Sequence, residues 1–171
     1  MSQYEIPQRV HPAELTLPQD RLHAGAAIGS GLFCGAVMLG LLIGFANLLY
    51  AEEPWKLLRM IAATVQGPSA LLFPDQFEPR LVMLGVVMHF LFSVLYALAL
   101  TGILVECRKS LAPWLGLAFG VALYFVNLHG FTLLFPWFAE LRTIDTLVAH
   151  AFYGLLITQT YVAFSEAPEG E

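Results

Sequence analysis

The chain alternates between long apolar stretches and short polar segments. Four of the stretches, residues 24–50, 81–105, 111–134 and 143–164, contain a single charged side chain between them, Asp145. A helix rises about 1.5 Å per residue and the hydrocarbon core of a bilayer is about 30 Å thick, so each stretch is long enough to cross as a helix. The pattern predicts an all-α membrane protein with four transmembrane helices.

A shorter pattern occupies the connection between the first two spans. Its apolar positions recur at helical spacing: Trp55, Leu58, Ile61, Ala62 and Val65. Lys56, Arg59 and Gln66 fall on other sides of the same helix, and Gly67 ends it. About twelve residues are too few to cross the bilayer. Residues 54–66 are therefore predicted to form an amphipathic helix that lies in the membrane interface.

Polar tails flank the transmembrane domain. Residues 1–23 are predicted to form an N-terminal tail, residues 24–164 the domain and residues 165–171 an acidic C-terminal tail. With 58% hydrophobic residues the chain is too apolar for an ordinary soluble domain. Its net charge of −5 argues against nucleic acid as a partner and leaves the lipid bilayer as the first one.

The orientation of the spans depends on few charges. The basic residues near the membrane are shared equally between the two sides: Arg9, Arg21, Arg108 and Lys109 against Lys56, Arg59, Arg80 and Arg142. Arg108 and Lys109 lie in a short loop, where basic residues favour the cytoplasmic side. We therefore expect a bacterial inner-membrane protein with both termini in the cytoplasm.

The first span is rich in small residues: Gly25, Gly29, Gly31, Gly35, Gly40 and Gly44. Small residues four positions apart let helix backbones approach closely in lipid. We predict that this helix is the packing hub of the domain, or that it forms an interface with other membrane subunits or with a second copy of the chain.

The two halves of the domain resemble each other. An asparagine near the outer end of one helix and a histidine in the outer half of the next recur as Asn47 with His89 and as Asn127 with His150. Both pairs share one topology, which predicts a parallel helix-pair repeat about an axis normal to the membrane. Such a repeat would gather these four side chains around the axis.

Three histidines lie at one height in three different spans. His89 is near the start of its span, His129 near the end of the next and His150 near the start of the last. Because successive spans run in opposite directions, all three are expected about 8–12 Å inside the same boundary. Ionisable side chains at that depth are costly and mark a functional-site hypothesis.

The chemistry of this constellation allows a metal or a haem. Three imidazoles would make an open site for zinc or copper. Alternatively, His89 and His150 would hold a haem iron as axial ligands, while Gly85 and Gly154, each about one turn away, leave room for the macrocycle.

Two other interpretations of the histidines stay open. In the first, they hydrogen-bond across helices to backbone carbonyls or to polar neighbours: Asn47, Asn127, Tyr96 and Tyr153. In the second, they belong to a proton or substrate pathway. Asp145 would either join such a relay or cap the last span.

Four short runs carry a resemblance to known proteins: WKLLRMIAA at residues 55–63, GVVMH at 85–89, FVNL at 125–128 and VAHAF at 148–152. Together they make the chain resemble a group of small proteobacterial four-span inner-membrane proteins that carry a sodium/proline symporter label. The resemblance implies the four-span architecture. It does not imply transport, because symporters of that kind use many more helices, some of them broken around a central site.

The sequence favours a non-catalytic accessory or anchoring subunit of an inner-membrane complex, of a respiratory or other redox kind. It contains no phosphate loop, nucleophile elbow or paired-carboxylate site, so we expect no catalytic activity of its own. Two alternatives remain: a small metal- or haem-binding membrane protein that uses His89, His129 and His150, and a small oligomeric transporter.

Overall fold

Helices account for almost all of the chain that the structure describes. The structure is a computed structural model that describes residues 23–73, 76–107 and 109–165. Its α-helices are α1 (Ala24–Tyr50), α2 (Lys56–Gln66), α3 (Pro79–Leu104), α4 (Ala112–Phe125) and α5 (Ile144–Ser165). No strand occurs in these ranges, which confirms the all-α prediction. The predicted tails lie almost wholly outside the described residues, as do Arg9, Arg21 and Arg108.

Four helices are long and apolar enough to cross a membrane: Ala24–Tyr50, Pro79–Leu104, Ala112–Leu133 and Ile144–Ser165. Their mean hydropathy ranges from 1.3 to 2.3. The protein is therefore an integral membrane protein built as a helical bundle. The ends of these helices differ from the predicted ends by two residues at most, because long uncharged runs leave a helix no alternative in lipid.

Local sequence signals set the helix ends around the loop between α1 and α3, and we name the side of the bundle that carries this loop the outer side. The Glu78 side chain accepts a hydrogen bond from the Arg80 backbone N–H at 3.2 Å, and Pro79 occupies the first turn of α3. Such a cap followed by proline is a common helix start. At its C-terminus α1 ends with Ala51 in the left-handed region, at φ 54°, where the Glu52 N–H reaches the Ala46 carbonyl. This closing bond satisfies a carbonyl that the end of the helix would leave free.

Close glycine contacts hold α1 against α3. A Cβ atom on Gly31 would lie 2.8 Å from the Cα of Val94, and one on Gly35 would lie 2.6 Å from the Ser93 Oγ. Neither distance is compatible with a side chain, so the two backbones approach as closely as glycine allows. Gly29 instead faces the Phe164 ring on α5, at 3.3 Å.

The remaining glycines of α1 have no such contact in the described chain. They are Gly25, Gly40 and Gly44, around which a Cβ atom would meet nothing within 4 Å. The small residues of α1 therefore serve packing within the bundle at Gly29, Gly31 and Gly35, and Gly40 and Gly44 lie on a different side of the helix from Gly31 and Gly35.

A second glycine contact joins α4 to α5. Cβ atoms on Gly116 and Gly154 would collide with the backbone of the facing helix, as would one on Gly120 against the His150 carbonyl. α5 also packs on α1 and is the most enclosed span. Of its apolar 18-residue stretch, 44% is buried, against 17% for α1. α5 therefore forms the centre of the bundle, and Ile157 and Tyr161 lie in its core.

The short helix α2 packs on the bundle and has one buried face that the sequence does not predict. Arg59, predicted to point away from the apolar side, is 4% exposed, whereas Val65 is 59% exposed. The Arg59 guanidinium donates to the carbonyls of Ala70, Leu72 and Gln76, which lie in the connection to α3. The expectation that Arg59 faces away was wrong because these carbonyls have no helical partner and need a donor.

The predicted gathering of the four repeat residues around an axis does not occur. Asn47 is exposed at the outer end of α1, and its amide donates to the Glu52 carbonyl at 3.4 Å. α5 packs extensively on α1, but the contact that the repeat would make equivalent to it, between α3 and α4, is slight. The two helix pairs therefore do not face each other equivalently, and the predicted position of Asn47 was wrong.

Candidate functional site

A partly open cavity of about 320 Å³ lies between the outer halves of the spans and α2. Its polar lining comes from three spans: His89, Ser93, Tyr96, Asn127, His150 and Tyr153. The rest of its wall is apolar or aromatic, apart from Thr64 of α2. No Asp, Glu, Lys or Arg of the described chain lines this cavity.

A chain of hydrogen bonds runs along one wall of the cavity. The Tyr96 hydroxyl donates to Asn127 Oδ1 at 2.7 Å, and Asn127 Nδ2 lies 3.5 Å from His150 Nε2. His150 Nδ1 lies 2.8 Å from the Thr146 carbonyl oxygen. A carbonyl can only accept, so Nδ1 carries a proton, and in the neutral imidazole Nε2 is then the acceptor. The structure therefore fixes the tautomer of His150 and orients its free lone pair toward the amide of Asn127.

His89 of α3 is held in the same manner, by a backbone carbonyl of α1. Its Nε2 lies 2.9 Å from the Gly35 carbonyl oxygen. By the same argument Nε2 donates, and Nδ1 is the nitrogen that remains as an acceptor. The cavity is thus lined by two imidazoles that each keep one unprotonated nitrogen.

Ser93 and Tyr153 join α3 and α5 at the inner end of the site. The Ser93 hydroxyl donates to the Gly31 carbonyl at 2.6 Å, and the Tyr153 hydroxyl donates to the Ser93 carbonyl at 3.0 Å. The two hydroxyl oxygens are 2.7 Å apart. Both residues are buried, so these bonds satisfy polar groups that lipid and core would leave without partners.

A π turn positions Asn127. The span that begins at α4 continues as a π turn at Val126–Gly130. Such turns are rare overall, and many of those known lie at functional sites. Beyond it, the Arg142 side chain donates to the Leu128 carbonyl at 2.7 Å and to the Thr132 hydroxyl. Arg142 therefore ties the Leu128 carbonyl and the Thr132 side chain together at the end of the span.

His129 does not join the other two histidines. It is exposed, and its ring packs against Tyr124 and Phe125 with centroids 5.7 and 5.4 Å away. Among the described residues no group of three or more His, Cys, Asp or Glu side chains is arranged to hold a metal. The predicted three-histidine arrangement is therefore not formed, because equal depth in the membrane does not place side chains on the same side of their helices.

The room predicted for a haem is also absent. A Cβ on Gly85 would collide with the Leu58 backbone of α2, and one on Gly154 would collide with the Gly116 carbonyl. The backbone of a neighbouring helix fills the space beside each of these glycines and leaves no room there for a macrocycle. The residues present do not fit a haem between His89 and His150.

The outermost polar candidate, Asp145, lies apart from the cavity. Asp145, in the first turn of α5, accepts a hydrogen bond from the Tyr50 hydroxyl at 2.7 Å. Thr143, not Asp145, accepts from the Thr146 backbone N–H, at 3.4 Å. Asp145 thus links α1 to α5 at the outer surface. No described hydrogen bond connects it to His89 or His150.

An apolar roof covers the cavity on its outer side. Leu57 and Ile61 of α2 line it, together with Phe138 from the 3-10 helix Pro136–Leu141. The Trp137 indole N–H donates to the Met60 carbonyl at 3.0 Å and so joins the two roof elements.

An ion-pair cluster lies at the edge of the roof. Lys56 Nζ lies 2.8 Å from a Glu52 carboxylate oxygen and 3.4 Å from one of Glu140. Partial burial lowers the pKa of Lys56, but the two carboxylates outweigh it, so its pKa stands above the ordinary value. The amine is therefore charged at neutral pH and holds the two roof elements together at the surface.

Several residues that build the site carry weak sequence signals. Gly116 and Gly120 repeat the four-residue glycine spacing of the first span. Ser93 carries no signal of its own, because a single serine in an apolar helix is ordinary. Arg142 follows a span directly, and such a cation is well placed to reach the last carbonyls of that span.

Comparison with known proteins adds no relative. No family model, curated protein or solved structure matches the chain. The resemblance to the small four-span proteins labelled as sodium/proline symporters stays a prediction.

Proposed function

We propose that this protein is a non-catalytic accessory subunit of a bacterial inner-membrane complex and that it holds a neutral, largely apolar small molecule in the cavity beneath α2. The observation that carries the proposal is the cavity itself. A volume of about 320 Å³ falls within the range of small-molecule pockets, roughly 300–1,000 Å³, and its apolar wall with a few convergent polar groups is typical of them.

The lining selects against a charged molecule. No acidic or basic side chain of the described chain faces the cavity, so an ion would lose its hydration without gaining a counter-charge. The polar groups that are present hydrogen-bond one another and nearby carbonyls, which holds them in fixed orientations. Fixed neutral donors and acceptors are suited to orienting a bound molecule.

The exposed surface of α1 supports a role within a larger assembly. Gly40 and Gly44 repeat the spacing of Gly31 and Gly35, which bring α1 against α3, yet a Cβ at either position meets nothing within 4 Å in the described chain. A neighbouring transmembrane helix is suited to this face. With both termini in the cytoplasm, the cavity would lie in the outer leaflet.

Purification in a mild detergent from native membranes tests both parts. We expect other membrane subunits to co-purify, and an organic extract of the complex to contain a neutral molecule in about equal amount to the protein. A solitary protein would contradict the accessory role, and an extract without such a molecule would contradict the binding role.

Two tryptophan variants on α3 show whether the extracted molecule comes from the cavity. Met88 lines the cavity, whereas Met83 is 65% exposed on the surface of the same helix. Met88→Trp fills the cavity and is expected to remove the molecule from the extract. Met83→Trp adds the same side chain on the outer surface and is expected to leave it. Equal extracts from the two variants would place the molecule outside the cavity.

A further inference from the structure

The unprotonated nitrogens and the amide of the cavity specify the chemistry of the bound molecule. His89 of α3 and His150 of α5 each donate one ring N–H to a backbone carbonyl, so each keeps one acceptor nitrogen. Asn127 of the α4 span supplies a donor, because its Nδ2 carries two hydrogens and makes only a long 3.5 Å contact with His150. A single uncharged cavity therefore offers both kinds of neutral hydrogen bond.

We propose that the molecule is a lipid-soluble quinone, held as the quinone or as the quinol, an inference that rests on the proposed binding function. Quinone oxygens accept hydrogen bonds, for which Asn127 is the donor. Quinol hydroxyls donate them, for which the unprotonated nitrogens of His89 and His150 are acceptors. The proposal concerns binding of the two forms and includes no electron transfer by this chain.

The apolar part of the cavity suits a flat ring with a hydrocarbon tail. Phe92 and Tyr96 stack on the α3 wall with ring centroids 6.2 Å apart and planes 18° from parallel. Phe131 and Phe135 line the cavity after the π turn. Aromatic walls favour a planar ring, and the partly open side leaves a tail free to extend.

Other membrane amphiphiles match this lining less well. A fatty acid or a phospholipid brings a charged group, and the described lining has no charged side chain to pair with it. A sterol-like alcohol is neutral, but its single hydroxyl would engage one of the polar groups and leave the others without a role.

The test uses the full chain in nanodiscs made from quinone-free lipid, titrated with a short-chain ubiquinone, its quinol and an alkylbenzene of similar size. Empty nanodiscs give the partition blank. Wild type is expected to bind quinone and quinol saturably and more tightly than the alkylbenzene, which lacks the oxygens. Equal affinity for all three would overturn the quinone proposal while leaving the apolar binding site in place. Saturable binding of none of them would contradict the proposed binding function itself.

Two variants separate the donor from the acceptor. Asn127→Leu is expected to weaken quinone binding about tenfold, the effect of one lost hydrogen bond, and to change quinol binding less. His89→Leu is expected to do the reverse. Unchanged alkylbenzene binding shows that each variant retains the cavity. If neither variant changes the preference between the two forms, the assignment of the quinone to these residues is wrong.

Discussion

The hydroxyl of Tyr96 donates to the side-chain oxygen of Asn127 at 2.7 Å, and this bond joins α3 to the π turn that follows α4. α3 makes few other contacts with α4. The bond therefore fixes the asparagine amide with respect to α3, and with it the wall of the cavity.

Removing the Tyr96 hydroxyl should loosen this wall. Tyr96→Phe leaves Asn127 Oδ1 without its donor, so we expect a loss of about 1 kcal/mol in the free energy of unfolding. Thermal unfolding in detergent would measure it. Tyr124→Phe on α4 is the matched control, because the described chain gives its hydroxyl no hydrogen bond. A similar loss in both variants would show that the bond has no special role.

The glycine contact between α4 and α5 should tolerate no side chain. Gly154→Ala introduces a Cβ where the Gly116 carbonyl and the Gly120 backbone already lie. We expect a loss of about 1–3 kcal/mol, the usual effect of overpacking a core. Unfolding in mixed micelles measures the difference.

Gly102→Ala on α3 provides the comparison for Gly154→Ala. A Cβ there meets nothing within 4 Å, and alanine is the better helix former. This variant should be as stable as wild type or slightly more stable. Equal destabilisation by the two substitutions would contradict the close contact.

The buried Arg59 should hold the connection between α2 and α3 in place. Arg59→Met keeps the apolar stem but leaves the carbonyls of Ala70, Leu72 and Gln76 without donors, so we expect a loss of about 3 kcal/mol. Limited proteolysis should cut residues 67–77 faster than in wild type. Arg80→Met is the control, since Arg80 is exposed. Faster cleavage in the control alone would be inconsistent with this role.

The sequence predicts the spans well and the site less well, for identifiable physical reasons. Hydropathy determines where Ala24–Tyr50 and the other spans begin and end, because lipid requires it. Depth in the membrane follows from residue counting and brings His89 and His150 to one cavity. The direction of a side chain around its helix does not follow from counting. The π turn at Val126–Gly130 changes that direction, and His129 points away from the cavity.

Arg59 and Asn47 show a second limit of sequence reasoning. An amphipathic pattern assigns a charged residue to the water-facing side, but Arg59 is buried because loop carbonyls that are distant in sequence need its N–H groups. The repeat assigned Asn47 to the site, yet its amide bonds the local Glu52 carbonyl. In both cases the hydrogen-bond partners of the backbone decide, and they are known only from the fold.

The orientation of the protein gives a further prediction. If both termini are cytoplasmic, α2 lies outside the cytoplasm and the loop after α3 lies within it. A membrane-impermeant maleimide should label Gln66→Cys in spheroplasts with an intact inner membrane, since Gln66 is exposed on α2. The native Cys107 should label only after permeabilisation, and the buried Cys34 should not interfere. The reverse pattern would place the cavity in the inner leaflet.

An experimental density map of the protein extracted with its native lipids tests the central claim most directly. We expect density for a flat, tailed molecule in the cavity, within hydrogen-bonding distance of Asn127 and of His89 or His150. A cavity closed by the protein's own side chains, or one filled only by acyl chains of surrounding lipid, would contradict the account.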